Sequence, residues 1–519
     1  MQNKDVVLEE ELFETRNVAN RKDCANQPKM AHSQSPRLKL IDRKQMLFRA
    51  IEIENLVADN HGVRAIWELV GRLDLSAYYQ EIKAREAEAG RPAMDPRLMI
   101  SLWIYSYSKG IGSAREIAKR CEYDPAYQWL VGMEPINYHT LSDFRVDHKE
   151  ALDELFTQAL GLLSAEGLVN LECVMHDGTK IKAHASADTF RREKRIQEHL
   201  KLAEEQIKQL SEISEEELSL RTKKARVRAA QERKEKLTLA LEELEKIRSC
   251  KRTLEEKAQS RVSLTDPEAR IMKQPDGGYA PGYNVQISTD AKEKIIVGMQ
   301  VTQSASDYEQ LIPSVGTIEK NTGKAPERMV VDGGFVSREN IVAMDAKQID
   351  LIGSVRDSRA QSTGQLKRRG IDEKFAPGNF NYQSDTNTYL CPAGRILHYE
   401  GKEEHPGVTG YKYRACFKDC QKCDHRDNCC PGNETKGRAI MRKEDAPEVV
   451  EFIKKMETPE AKEIYKQRGA VAEFVHAWIK DKIGLRQFRL QGLYKVGIEI
   501  VWVCLTYNIQ QWIRLSGIS

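Results

Sequence analysis

Apolar positions recur along this chain in distinct rhythms, and the changes of rhythm divide it. From Arg64 to Arg145 they form short helical patches separated by turn signals. Residues 96–109 are mostly apolar and predict a helix that Gly110-Ile111-Gly112 ends. Ser113-Ala114-Arg115-Glu116 then has the form of a capping box, and further short helices are predicted over 126–130 and from Thr140, a plausible cap, through Arg145. Between residues 191 and 260 charge dominates instead, and Ile196, Leu200, Ala203, Ile207 and Leu210 fall at alternating steps of four and three. Leu237, Leu241 and Leu244 repeat that step, and the narrow seam predicts an antiparallel helical hairpin.

Strand patterns flank the hairpin. An apolar run from Leu171 closes on Asp177, Tyr283–Ser288 alternates, and Ile295–Val301 is more continuously apolar. A helix is predicted over 308–320, a strand over Met329–Asp332, a helix over 337–347 and a strand over 350–355. Without the helical insert this is an α/β layout, a mixed sheet covered by helices. Its element order matches the ribonuclease H-like fold, in which the first and fourth strands are adjacent and parallel, an analogy of order alone. The expected division is a flexible arm (1–45), an all-helical region (46–165), the first part of the core (166–355, helical insert 187–262), a cysteine-rich insert of little regular pattern (356–460), and closing helices (461–519) that complete the core. The helices of 46–165 suit either a helix-turn-helix-like DNA-binding module or a packing or dimerisation domain.

The candidate chemistry lies in three acidic residues: Asp177 and Asp332 at the ends of two predicted strands, and Glu473 in a helical segment. Each aspartate precedes glycine and has a plainer reading as the start of a turn. Together they are what an enzyme needs to hold divalent cations over a phosphodiester, because hard ions take oxygen ligands and a pair of them clamps the attacking and leaving oxygens. Gly333 and Gly334 would leave room beside Asp332 for a phosphate backbone. His176 and His476 adjoin the acidic positions and read as structural, since metal-activated water needs no separate base.

Composition narrows the partners only a little. A net charge of +3 over 519 residues does not announce a nucleic-acid binder, so any basic surface is local, as in Arg221–Arg228 on the hairpin. No apolar run reaches the roughly 18 residues of a membrane span, and the start lacks the form of a signal peptide, so a cytoplasmic protein is expected.

The acidic segments carry a family resemblance. The chain from about Arg64 onward resembles the DDE transposases of bacterial insertion sequences. The first motif is Asp177-Gly178-Thr179-Lys180-Ile181 followed by Ala183, and the second is Val331-Asp332-Gly333-Gly334-Phe335. The third resembles the family's Tyr–Arg–Glu–Lys signature in Tyr465, Arg468, Glu473 and Lys480, with four residues between Arg468 and Glu473 where a frequent form has three. The segment from Asp95-Pro96 to Arg145 is similar to the region that often precedes such cores. Residues 485–492, with Tyr507-Asn508, look like the family's closing helices.

The resemblance implies a DNA transposase that binds the terminal inverted repeats of its own element and performs metal-dependent strand cleavage and strand transfer. Asp177, Asp332 and Glu473 would hold Mg²⁺ or Mn²⁺, while Arg468, Lys480 and Tyr465 would contact DNA. It further implies double-stranded repeat and target DNA as partners, a homodimer on DNA, no membrane, and a place at the bacterial nucleoid. The competing readings are a ribonuclease H-like nuclease without strand transfer and an inactive DNA-binding relic.

Cysteines raise a separate matter. Cys416, Cys420, Cys423 and Cys429, with Cys430 adjacent and Cys391 upstream, have the spacing of a small zinc knuckle, and four thiolates suffice for a closed structural site. Reduced thiols in a surface insert are the alternative, and His425 is a substitute ligand.

Overall fold

The structure is a computed structural model that describes residues 50–82, 92–212, 219–354, 366–431 and 435–517, with a few positions between 43 and 48. The arm expected over 1–45 lies almost wholly outside the described residues. Glu52–Ser519 form one compact unit.

The core sheet is built from β1 (Val174–Lys182), β2 (Arg270–Lys273), β3 (Tyr279–Asp290), β4 (Ile296–Thr302), β5 (Arg328–Val331) and β6 (Asp350–Gly353). β3 runs antiparallel to β1 with Asp177 opposite Ile287, and β4 runs antiparallel to β3 with Val285 opposite Val301. β5 joins the other side of β1 in parallel, with His176 opposite Val331, and β6 continues in parallel with Val331 opposite Gly353. The resulting order, β4-β3-β1-β5-β6 with β2 also on β3, is the ribonuclease H-like order expected from the element sequence. The apolar alternation follows the pleat: Val174, Met329, Val331 and Leu351 enter the large core, while Met175, Val330 and Ile352 face a smaller cluster on the other side.

The N-terminal helices pack into that large core. Pro96–Ser108 is the predicted helix, with Asp95 capping it and Gly110 at φ +75° just beyond its end. Ser113 caps the next helix through Glu116 N, but the Glu116 carboxylate turns to Arg120 at 3.0 Å, so only the hydroxyl half of the capping box forms. The helix Tyr138–Asp147 is capped by Asn137, not Thr140. Its Arg145 is buried, donating to Gly112 O at 2.9 Å and lying over the Trp103 ring, while Trp502 Nε1 donates to Arg145 O. This end of the helix therefore faces the interior. The terminal helix Leu493–Leu515 is buried almost all round, because it lies between the N-terminal helices and the sheet. Asn508 in it both donates to and accepts from the backbone of Ile296, satisfying the edge of β4.

Glu193–Glu212 and Leu220–Ser249 form the helical hairpin. Arg248 pairs with Glu193 and Lys234 with Glu204, so the helices run antiparallel, over a seam that includes Ile196, Ala203, Leu237 and Leu244. The cysteine-rich region is more regular than its sequence predicts. It holds a five-stranded antiparallel sheet of β7 (Asn381–Gln383), β8 (Thr388–Leu390), β9 (Ile396–His405), β10 (Val408–Ala415) and β11 (Ala439–Asp445), in the order β11-β10-β9-β8-β7. In β9 only Leu397 is buried, so the apolar alternation that betrays most strands is missing.

Candidate active site

Alternation along β1 decides which side chains can meet. Met175, Asp177 and Thr179 share one face, and His176, Gly178 and Lys180 the other. Met175 packs with Ala461, Val471 and Ala472, so the helix Pro459–Arg468 and its continuation cover the Asp177 face. The parallel register that sets His176 opposite Val331 makes the next residues, Asp177 and Asp332, neighbours at the end of that ladder. Each carboxylate accepts from the amide that follows it, Gly178 N at 2.9 Å and Gly333 N at 2.6 Å. Asp332 is exposed, whereas the Asp177 side chain keeps only 20% of its surface. Burial lifts the Asp177 carboxyl above its usual range; Arg468 and the Gly178 amide pull it down, and the charge of Asp332 pushes it up again.

The covering helix changes pitch twice. Gly469–Glu473 and Trp478–Lys482 are π-helical turns. A π turn takes in one residue more than an α turn, which is where the extra residue between Arg468 and Glu473 is absorbed. A basic strip results along β1. Arg468 Nη1 donates to Asp177 Oδ2 at 3.1 Å, His476 Nδ1 lies 3.9 Å from the same oxygen, and Lys480 Nζ donates to Thr179 Oγ1 at 2.5 Å. Tyr465 packs against the Met175 cluster, with its ring 6.0 Å from the Arg468 guanidinium.

Glu473 lies on the same helix within this strip, but its side chain is exposed and makes no hydrogen bond or ion pair among the described residues. The two aspartates are neighbours on the sheet, and among the described residues no three His, Cys, Asp or Glu side chains are grouped as metal ligands.

The two histidines occupy opposite faces. His176 is fully buried between Ser288 and Ser314, and burial lowers its pKa to about 4. His476 is pushed down to about 3, first by burial and then by Lys480, so its approach to Asp177 is not an ion pair. Neutral imidazoles agree with reading both as structural, although the nearness of His476 to Asp177 has no signal in the sequence.

Sequence reasoning also missed Asp307. On the His176 face it accepts from Lys180 at 3.1 Å, Asn284 at 2.7 Å and Gln286 at 2.8 Å. Burial opposes its ionisation, but Asn284, Lys180 and Gln286 outweigh that and hold its carboxyl below the usual range. Gly178 is glycine because of this group: a Cβ there would meet Asp307 Oδ1 at 2.6 Å and Gln286 Nε2 at 2.7 Å. It lies inside a strand, so the turn explanation for Asp177-Gly178 falls away. Gly333, likewise, faces the Ser354 backbone, where a Cβ would come within 3.1 Å.

Residues 51–147 match the family described as Transposase domain (DUF772), and residues 390–513 match Transposase DDE domain. The second match contains Tyr465, Arg468, Glu473 and Lys480, while Asp177 and Asp332 lie between the two. Both matched families are described as transposase domains. No curated protein matches it. Among solved structures it is similar to a piggyBac transposase in a synaptic complex with hairpin DNA, at 9% identity and a TM-score of 0.31 over 88% of this chain and 74% of that one. A likeness so loose bears no weight here. Among the described residues, no helix of this transposase-like chain is long and apolar enough to cross a membrane.

Proposed function

We propose that the chain cleaves DNA at the ends of its own element and joins them to target DNA, with Asp177 and Asp332 as the paired metal ligands and Glu473 completing the set. The observation that carries this reading is the adjacency of Asp177 and Asp332 on parallel strands beneath a strip of basic side chains. Two neighbouring carboxylates, one of them buried against its preference for charge, are an oxygen donor set that fits a hard divalent cation. When bound, Mg²⁺ or Mn²⁺ supplies an activated oxygen nucleophile and stabilises the leaving oxygen.

The protein's own groups do the rest. Arg468 holds the Asp177 carboxylate in place and presents a forked donor to a strand phosphate. Lys480 adds a point charge further along β1, and Tyr465 stiffens Arg468 from behind. The neutral His476 closes the site without adding charge. The exposed run Arg221–Arg228 on the hairpin offers a second place for duplex DNA, and the two ends to be joined call for a homodimer.

The test uses the purified full chain, Mg²⁺ and a supercoiled plasmid carrying the DNA that flanks its gene. Cleaved and joined products are expected, and Asp332→Ala should abolish both while leaving DNA binding within about twofold. Nicking without joining would favour a nuclease, and cleavage that survives Asp332→Ala would overturn the site.

A further inference from the structure

The insert sheet has a small core. Phe380, Leu397, Tyr413, Ala415 and Ile440 are its buried side chains, with Tyr389, Cys391, Tyr411 and Cys420 partly buried against them. A core of this size seldom holds a small unit together unaided. Beside it lies a cavity of about 20 Å³, lined by Cys391, Cys420, Cys423, Cys429 and Cys430 together with Phe375 and Arg438. That is room for one small ion or one water. Cys416, expected from spacing to be one of the ligands, does not line it and is exposed. Cys391 comes instead from the turn between β8 and β9, far away in sequence.

Two of these sulfurs already accept backbone amides, Arg395 N on Cys391 at 3.2 Å and Arg438 N on Cys420 at 3.4 Å. Such bonds stabilise a sulfur that carries negative charge. Arg438 supplies an independent sign. Its guanidinium donates to Phe375 O at 3.1 Å and lies over the Phe380 ring, yet its Nε is buried without a partner, and among the described residues no carboxylate pairs with it. A half-buried cation at the wall of a thiol pocket lacks a counter-charge, and a tetrathiolate around a divalent ion carries two negative charges.

We infer that Cys391, Cys420, Cys423 and Cys429 bind one structural Zn²⁺ that staples the insert sheet to its Cys416–Cys430 loop. Both members of the adjacent pair Cys429 and Cys430 line the cavity, and Cys429 stands at the zinc-knuckle spacing from Cys420 and Cys423. A thiol must give up its proton to ligate Zn²⁺. Binding therefore expels the thiol protons to solvent as four Zn–S bonds form at about 2.3 Å. The thiols line the cavity but are not yet a closed shell; the ion draws them in. With no position left for water, the site is structural and separate from the carboxylates on β1.

The test is metal analysis of the purified full chain, followed by alkylation of the native protein and mass mapping of each cysteine. One zinc per chain is expected, with Cys391, Cys420, Cys423 and Cys429 protected and Cys416 and Cys250 alkylated; a zinc chelator should open the protected four at least tenfold. Cys391→Ser should lose the metal, and Cys416→Ser should keep it. Absence of zinc, disulfide-linked pairs in its place, or loss of the metal in Cys416→Ser but not Cys391→Ser would overturn the inference. The alkylation pattern of the unaltered chain decides the matter even where a variant fails to fold.

Discussion

The two faces of β1 each present a carboxylate to cationic or amide donors, and they treat it oppositely. On one face Asp307 receives Lys180, Asn284 and Gln286, and its proton is held less tightly than usual. On the other, Asp177 has Arg468 and its neighbouring amide, but burial and the charge of Asp332 prevail and raise its carboxyl. The satisfied acid is part of the frame. The under-served acid, with a second carboxylate beside it, has a site's worth of negative potential left for a cation. Asp307 is thus the internal control for Asp177, on the opposite face of the same strand.

The largest effect expected from that contrast comes from replacing each acid in turn. Asp177→Asn should lower strand cleavage by at least about a thousandfold, the equivalent of roughly 4 kcal/mol of transition-state stabilisation, while the melting temperature holds or rises. Asp307→Ala should do the reverse. It strips Lys180, Gln286 and one Asn284 N–H of their carboxylate acceptor, a loss of about 2–4 kcal/mol in stability, while cleavage below the melting transition stays within about tenfold. Denaturant unfolding and plasmid cleavage on the same preparations measure both. If Asp307→Ala abolishes cleavage while stability is unchanged, the two faces have been assigned the wrong way round.

Which parts of this contrast were legible beforehand follows from what each depends on. Asp177 and Asp332 close apolar runs, and a period-two pattern that stops at an acid is visible in sequence; the order of strands and helices was equally visible and placed β1 beside β5. Asp307 sits in a short serine-rich loop after β4, where nothing local marks an acid, and its role exists only because β3 brings Asn284 and Gln286 to it. The π turns were half-legible. The spacing between Arg468 and Glu473 announced an extra residue, but where it goes depends on how Val471 and Ala472 seat against Met175. The insert sheet was hidden because both faces of β9 are largely wet, and the pairing of Cys391 with the Cys420–Cys429 run needs the fold of that sheet.

A smaller effect sharpens the comparison from the side of the donors. Arg468 is the cation that stands at Asp177. Arg468→Ala should slow cleavage by about 10–100-fold, since one charge-assisted donor to a phosphate is lost. The same change removes a competitor for the Asp177 carboxylate, so the Mg²⁺ concentration for half-maximal rate should fall even as the maximal rate drops. Rates measured across a Mg²⁺ series separate the two. An unchanged midpoint would mean that the guanidinium and the metal do not share the carboxylate, and Arg468 would then be a DNA contact alone.

The smallest expected effect is the dependence of stability on pH at Asp307. Its folded carboxyl lies below the unfolded value of roughly 3.9. Ionised Asp307 therefore stabilises the fold fully above about pH 5, and that contribution drains away as pH falls through the lowered folded value. The stability gap between the unaltered chain and Asp307→Asn should be flat from about pH 7 to 5 and narrow below about pH 4. Urea unfolding across that range reads it directly. A gap that widens on acidification would mean that the acid prefers its proton in the folded chain, and the quiet face of β1 would then be a strained one.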